Sequence, residues 1–368
     1  MPFFEPRKPF APAEDAESTP PFLSDTVTIV LLKVVWMCTA PALTILLANK
    51  GTKVVLWSKI ASEIEALETD RKNIKNLPGA VLPDSVELTL DEEYAVRGSE
   101  PELIVFAVAS PYVRNTAKLV APYIKDGQLI VNVAKGIEEK TLNTILDIIG
   151  EEIPNATLAV LSGPSHAEEV SRLIPTTVVV ASRSEEAAKK IQDMFMTKTF
   201  RVYSSDDVIG VELGGSIKNV IALAAGMSDG LGFGDNTKAA LMTRGIAEIS
   251  RLGKKMGAKI ETLCGLSGVG DLFVTATSHH SRNWNAGYLI GQGMSVEDAM
   301  KKVAQVVEGV YCAKAAKALA DKYEVEMPIV QEVYDILFNG QDVNQAVTDL
   351  FTRDKTNEHS AVDWDYTN

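Results

Sequence analysis

At 368 residues, 46% hydrophobic and 23% charged, the chain is long enough for two ordinary domains and has the composition of a globular protein. Its net charge of −13 argues against non-specific nucleic-acid binding and against docking on an anionic membrane, while leaving room for a local basic pocket that takes a small anion. Three scattered cysteines (Cys38, Cys264, Cys312) make neither a disulfide framework nor a metal-ligand spacing, which suits a reducing cytosol, and four histidines, two of them adjacent, argue against a zinc site.

The first 25 residues are rich in proline and acid and lack an apolar h-region, so they read as a disordered tail and not as a secretory signal. Residues 27–48 are almost wholly apolar and approach the ~20 residues that a membrane-crossing helix needs. Lys33, Pro41, the β-branched start and the strand-like "KVVLWSK" that follows favour a buried strand and a core helix, with no membrane span. Apolar runs of strand length then recur at 53–57, 103–108, 128–133, 157–161 and 176–181. Helix-period segments at 60–72, 113–124, 140–149 and 185–196 separate most of them, which predicts a parallel doubly wound sheet. After "RVYSSDDVIGVELGGSIKN" the period becomes helical: Leu241, Ile246, Ile249 and Leu252 fall along one stripe. The fold class is therefore α/β, an N-terminal Rossmann-like sheet plus an all-helical second domain. The expected boundaries are a tail at 1–25, a dinucleotide-binding domain at 26–208, a helical substrate-binding domain at 209–351 and a polar tail at 352–368.

Candidate chemistry lies in loops that join glycine to a charged or hydroxyl residue. "NVAKGIEEKT" puts Lys135 at the carboxyl end of a strand, where open α/β sheets bind ligands, although a lone lysine is usually solvated surface. In "LSGPSHAEEV" Gly163 and Pro164 turn the chain, Ser165 reads first as a helix cap, and His166 as a capping or packing residue. "GLSGVGDLFVTATSHHSRN" gathers Asp271, Thr275, Ser281, Arg282 and Asn283; Arg282 has the plain alternative of bridging to a carboxylate, and His279 and His280 read as loop surface. Lys218 is harder to dismiss. Helix period sets it near Gly214, Ile221 and Ala225, a small apolar face that would lower its pKa.

Taken together, "NVAKGIE", "GPSHAEEV", "GGSIKNVIALAAGMSDGLGFGDNTKAALMTRG", "GLSGVGDLFVT", "SRNWNAG" and "VVEG" resemble the NAD(P)-dependent glycerol-3-phosphate dehydrogenases, most closely the bacterial type, over about residues 27–350. The resemblance implies an oxidoreductase that interconverts sn-glycerol 3-phosphate and dihydroxyacetone phosphate with NAD or NADP, supplies glycerol 3-phosphate for phospholipid synthesis, and forms a homodimer in the cytoplasm. It implies that Lys218 is the acid/base at the substrate C2 oxygen and that Lys135 binds substrate and cofactor. Asp271 and Thr275 would complete the polar network, Gly163 and Ser165 would hold the glycerol part, and Ser281, Arg282 and Asn283 the phosphate. Lys59, Ala167, Arg282, Val306 and Glu308 would face the cofactor.

The sequence departs from the family in three places. Ala109 replaces a usual proline. The second strand ends in Ser58-Lys59, where an acid would grip the NAD ribose and a base tolerates the NADP phosphate, so dual cofactor use is expected. The turn that should read Gly-x-Gly-x-x-Gly has Val35, Met37 and Ala40 at the glycine positions. Either cofactor binding is lost in a non-catalytic homologue, or the reading frame is broken here. Codons for Trp36-Met37-Cys38 shifted by one nucleotide encode Gly-Cys-(Ala/Val), although the first glycine is not restored.

Overall fold

The computed structural model describes residues 26–31, 39–72 and 77–358. The expected N-terminal tail, Val35 and Met37 of the glycine-free turn, and residues 359–368 of the expected C-terminal tail lie outside these.

Eight strands form one sheet: β1 (Thr26–Leu31), β2 (Lys53–Ser58), β3 (Glu87–Thr89), β4 (Leu103–Phe106), β5 (Leu129–Asn132), β6 (Thr157–Ser162), β7 (Thr176–Ser182) and β8 (Phe200–Ser205). Their order is β3-β2-β1-β4-β5-β6-β7-β8. The first six run parallel in the 3-2-1-4-5-6 order of dinucleotide-binding sheets. Helices α1 (Thr39–Asn49), α2 (Ala61–Asp70), α3 (Val113–Val120), α4 (Ile145–Glu152), α5 (Ala167–Val170) and α6 (Glu185–Phe195) alternate with the strands. Successive strand residues point to opposite faces, and both faces are covered. Val27, Ile29, Val54 and Leu56 pack on α1 and α6 through Leu46 and Phe195, while Trp57, Ile104 and Phe106 pack on α3 and α4 through Val113 and Ile149. That double burial is why the strands read as continuous apolar runs.

The doubly wound sheet is borne out, but it is not parallel throughout: β7 runs antiparallel to β6, and β8 follows β7 in parallel. β8 had no strand-like signature in the sequence because it is an edge. Phe200 and Val202 are buried, whereas Arg201 and Tyr203 are exposed. α4 begins five residues later than its periodicity suggests. Ile137 bridges to Thr144, Leu142 turns with a φ of 61°, and the Thr144–Asp147 capping box then starts the helix.

The rest is helical: α7 (Val208–Gly230), α8 (Asp235–Met256), α9 (Ile260–Leu263), α10 (Asp271–Thr277), α11 (Arg282–Gly291), α12 (Val296–Val303), α13 (Glu308–Lys322), α14 (Pro328–Tyr334) and α15 (Val343–Thr352). Asp207 caps α7 by accepting from Gly210 N at 2.9 Å. By length and hydropathy α7 could cross a bilayer, yet 94% of its most apolar window is buried inside the protein, so it is the core helix of this region. α11 crosses α7 at very short range because glycines meet backbone there. A Cβ on Gly287 or Gly291 would strike the carbonyl oxygens of Leu223 and Met227, and one on Gly226 or Gly230 those of Trp284 and Tyr288. This contact fixes where α11 begins.

Candidate active site

The carboxyl ends of β5 and β6 face α7, α10, α11 and the start of α13 across a cleft of about 580 Å³, within the range of small-molecule sites. After β5, the Asn132 side chain hooks the chain back: its Nδ2 donates to Ala134 O at 2.8 Å and its Oδ1 accepts from Ala134 N at 3.0 Å. The next residue, Lys135, is thereby aimed into the cleft. Its peptide is held from α7 as well, since Ser216 Oγ accepts from Gly136 N at 2.9 Å and donates to Gly136 O at 3.2 Å. After β6, Gly163 turns at a φ of 138°, where a Cβ would lie 3.0 Å from Val178 Cα. Its carbonyl accepts from Lys135 Nζ at 3.3 Å and from Ser165 Oγ at 3.1 Å. Ser165 is thus not the cap of α5, a role that falls to His166 without a side-chain bond.

Lys218 comes from the middle of α7, which approaches the sheet because residue 215 is glycine; a Cβ there would meet Ser162 Oγ at 2.7 Å. The ammonium is buried and pairs with Asp271 Oδ1 at 2.8 Å, while the other oxygen of the same carboxylate takes Lys135 Nζ at 2.5 Å. Lys218 also donates to Thr275 Oγ1, which in turn donates to Asp271 O at 2.6 Å. Two cations thus share one buried anion. Burial pushes the Lys218 pKa down, Asp271 pulls it back and Lys135 pushes it down again, leaving it at about 8. Burial likewise keeps His166 toward its neutral form, with Nε2 3.3 Å from Val274 O.

α11 closes the site. Ser281 caps it by accepting from Trp284 N at 3.2 Å. Asn283 is buried and joins three helices: its Nδ2 donates to Asn219 Oδ1 at 2.9 Å, its Oδ1 accepts from Gly309 N at 2.8 Å, and Asn219 Nδ2 donates to Glu308 at 3.2 Å. Arg282 lines the cleft, and among the described residues its guanidinium makes no hydrogen bond or ion pair, so the carboxylate bridge considered for it is not found. The cleft gathers Lys135, Ser165, Ala167, Lys218, Asp271, Thr275, Ser281, Arg282, Asn283 and Glu308, with Gly163 bonded at its edge. Lys59 and Val306 do not line it; Lys59 is exposed just past β2 and Val306 half-buried just before Glu308.

Sequence pattern does not mark several polar residues of the cleft. His280 and His166, which read as surface and packing residues in sequence, line the wall; nothing in their neighbourhood in sequence distinguishes them. Asn219, next to Lys218 on α7, also lines the cleft, and its sequence position alone carries no signal of that. Ser162 was unmarked, and its buried Oγ finds no partner among the described residues. That orphaned hydroxyl, and an apolar wall of Ala42, Leu43, Val133, Leu161 and Val178 at the sheet's carboxyl edge, fit a nicotinamide cofactor. Ala40 is buried in the first turn of α1.

A dinucleotide-type sheet opening on a helical region, with two lysines and an arginine in the intervening cleft, is the plan of a dehydrogenase acting on a small anionic substrate. The chain belongs to the NAD-dependent glycerol-3-phosphate dehydrogenase family: it matches the family's N-terminal part over residues 40–188 and its C-terminal part over 207–348. The N-terminal match thus starts at Ala40, past Val35 and Met37. It is 57% identical over 323 residues to the NAD(P)+ glycerol-3-phosphate dehydrogenase of Agathobacter rectalis, covering 88% of this chain and 96% of that one. A second such enzyme, from Pelotomaculum thermopropionicum, is 51% identical over 326 residues, covering 88% and 93%. The crystal structure of the Coxiella burnetii glycerol-3-phosphate dehydrogenase superposes with a TM-score of 0.85 at 35% identity, covering 90% of this chain and 99% of that one. Nothing in these likenesses favours a non-catalytic homologue.

Proposed function

We propose that the protein interconverts dihydroxyacetone phosphate and sn-glycerol 3-phosphate with NAD(P)(H), holding cofactor mainly on residues 26–208 and substrate on 209–351. The observation that supports this best is the Asp271 carboxylate bridging Lys218 and Lys135 in the cleft that Arg282, unpaired among the described residues, also lines. The nicotinamide supplies or accepts the hydride. Lys218 stands at the substrate C2 oxygen and gives a proton as alkoxide charge develops there; Lys135 adds positive potential and holds the same oxygen's surroundings. Asp271 and Thr275 orient the Lys218 ammonium. Gly163 and Ser165 hold the glycerol part. The Arg282 fork and the N-terminus of α11, with Ser281 and Asn283, receive the phosphate. Lys59, Ala167, Val306 and Glu308 complete the cofactor side, together with Lys135 and Arg282.

The product is the backbone unit of glycerophospholipids, so the reading extends to its supply for phospholipid synthesis by a cytoplasmic homodimer. Steady-state kinetics separate the roles. Lys218→Ala is expected to lower kcat by about a thousandfold, and Arg282→Ala to raise the KM for dihydroxyacetone phosphate by about 10–100-fold with a smaller change in kcat. Equal KM values for wild type and Arg282→Ala would remove the phosphate role from Arg282.

A further inference from the structure

Dinucleotide sheets usually end their second strand in an acid that accepts the hydroxyls of the adenosine ribose. Here that place holds Ser58, fully buried on the face of β2 that Val54 and Leu56 share and that packs on α1 and α2. The Ser58 hydroxyl accepts from Ile60 N at 3.2 Å and donates to Glu63 Oε2 at 2.5 Å. A carboxylate is therefore present at the end of β2 after all, delivered from the first turn of α2. Its Oε1 makes no bond among the described residues, and the side chain is half-buried. Trp57, next to Ser58, is locked on the opposite face by Nε1 donating to Leu90 O at 3.2 Å, so the strand end is held in place. Lys59, the residue after Ser58, is exposed.

We propose that Glu63 sets cofactor choice: its carboxylate, tethered by Ser58 at the end of β2, accepts the ribose 2′- and 3′-hydroxyls of NAD(H) and repels the 2′-phosphate of NADP(H). Lys59 partly offsets that repulsion, which leaves both cofactors usable and NAD(H) preferred. The assignment rests on the dehydrogenase reading above. A charge-assisted acceptor forms a stronger hydrogen bond with a hydroxyl than a neutral amide does, and like charges disfavour each other. Both effects act in the same direction on the ratio of the two affinities.

The test is direct binding. Wild type and Glu63→Gln are titrated with NADH and with NADPH, and dissociation constants are read from the cofactors' own fluorescence. Glutamine keeps an acceptor for Ser58 and removes only the charge, so a clasp that merely stabilises the β2–α2 turn would leave the ratio of the constants unchanged. The expected result is weaker NADH and tighter NADPH binding, shifting that ratio about tenfold toward NADPH. An unchanged ratio, or equal weakening of both cofactors, overturns the role of Glu63. Should Glu63→Gln fail to fold, Ser58→Ala unties the same carboxylate and is judged by the same ratio. Wild type that binds neither cofactor would contradict the dehydrogenase reading itself, an outcome distinct from a bound wild type with an unmoved ratio.

Discussion

Lys218 and Glu212 sit on the same helix less than two turns apart, and burial drives each toward its neutral form: the lysine to a pKa of about 8 and the glutamate to about 7. What separates them is the company they keep. Lys218 faces Asp271, Lys135 and Thr275 in the cleft, so its proton is within reach of a ligand. Glu212 accepts from Leu146 N at 2.9 Å and does not line that cleft. With Lys218 as the proposed acid/base at the substrate C2 oxygen, the pH dependence has a definite sign. Ketone reduction needs the ammonium, which is present below its pKa; alcohol oxidation needs the free amine, present above it. Turnover for reduction should therefore fall as pH rises through about 8, and turnover for oxidation should rise through the same region. Paired pH–rate profiles check this, and parallel profiles in the two directions would refute the acid/base role.

At the scale of elements, two contacts set the site. The first is the glycine-to-backbone crossing of α7 and α11, which carries Arg282 and Asn283 to the cleft. Gly287→Val would force these helices apart, since the obstructing atom is the Leu223 carbonyl oxygen and not a movable side chain. A loss of about 2–3 kcal/mol in stability is expected, with a higher substrate KM. Denaturant unfolding together with kinetics measures both. The second is Glu212 of α7 against the N-terminus of α4. Its folded pKa is raised above the unfolded value. The stability it contributes is thus fully present below about 4.5 and is lost as pH rises through about 7. Glu212→Gln should match wild type near pH 4 and exceed it by roughly 2–3 kcal/mol near pH 8. Equal stabilities at both pH values would show that this carboxylate does not titrate as its burial requires.

For the molecule as a whole, the parts legible in sequence were those written in local pattern. Strands buried on both faces read as apolar runs, and α7 revealed Lys218 because helix period alone places it on a small apolar face. Lys135 and Gly163 stood out as ends of strands. The parts not legible depend on distant partners. β8 alternates burial only because it is an edge. His280 becomes cleft lining only once α10 and α11 fold against α5. Ser58-Lys59 read as a missing acid, because nothing in the spacing tells that Glu63 turns back toward the strand it has just left. Arg282 could have been bound to a carboxylate; only the packed structure leaves it unpaired among the described residues. The doubly wound sheet and the placement of Lys218 thus follow from local pattern, whereas Ser162, His280 and Glu63 take their places only through packing.

The most direct measurement is NADH oxidation by the purified, sequence-verified protein on adding dihydroxyacetone phosphate, with Lys218→Ala beside it. Substrate-dependent oxidation in wild type that is abolished in the variant is the result predicted. A folded wild type with no turnover, or turnover undiminished in Lys218→Ala, would contradict the account.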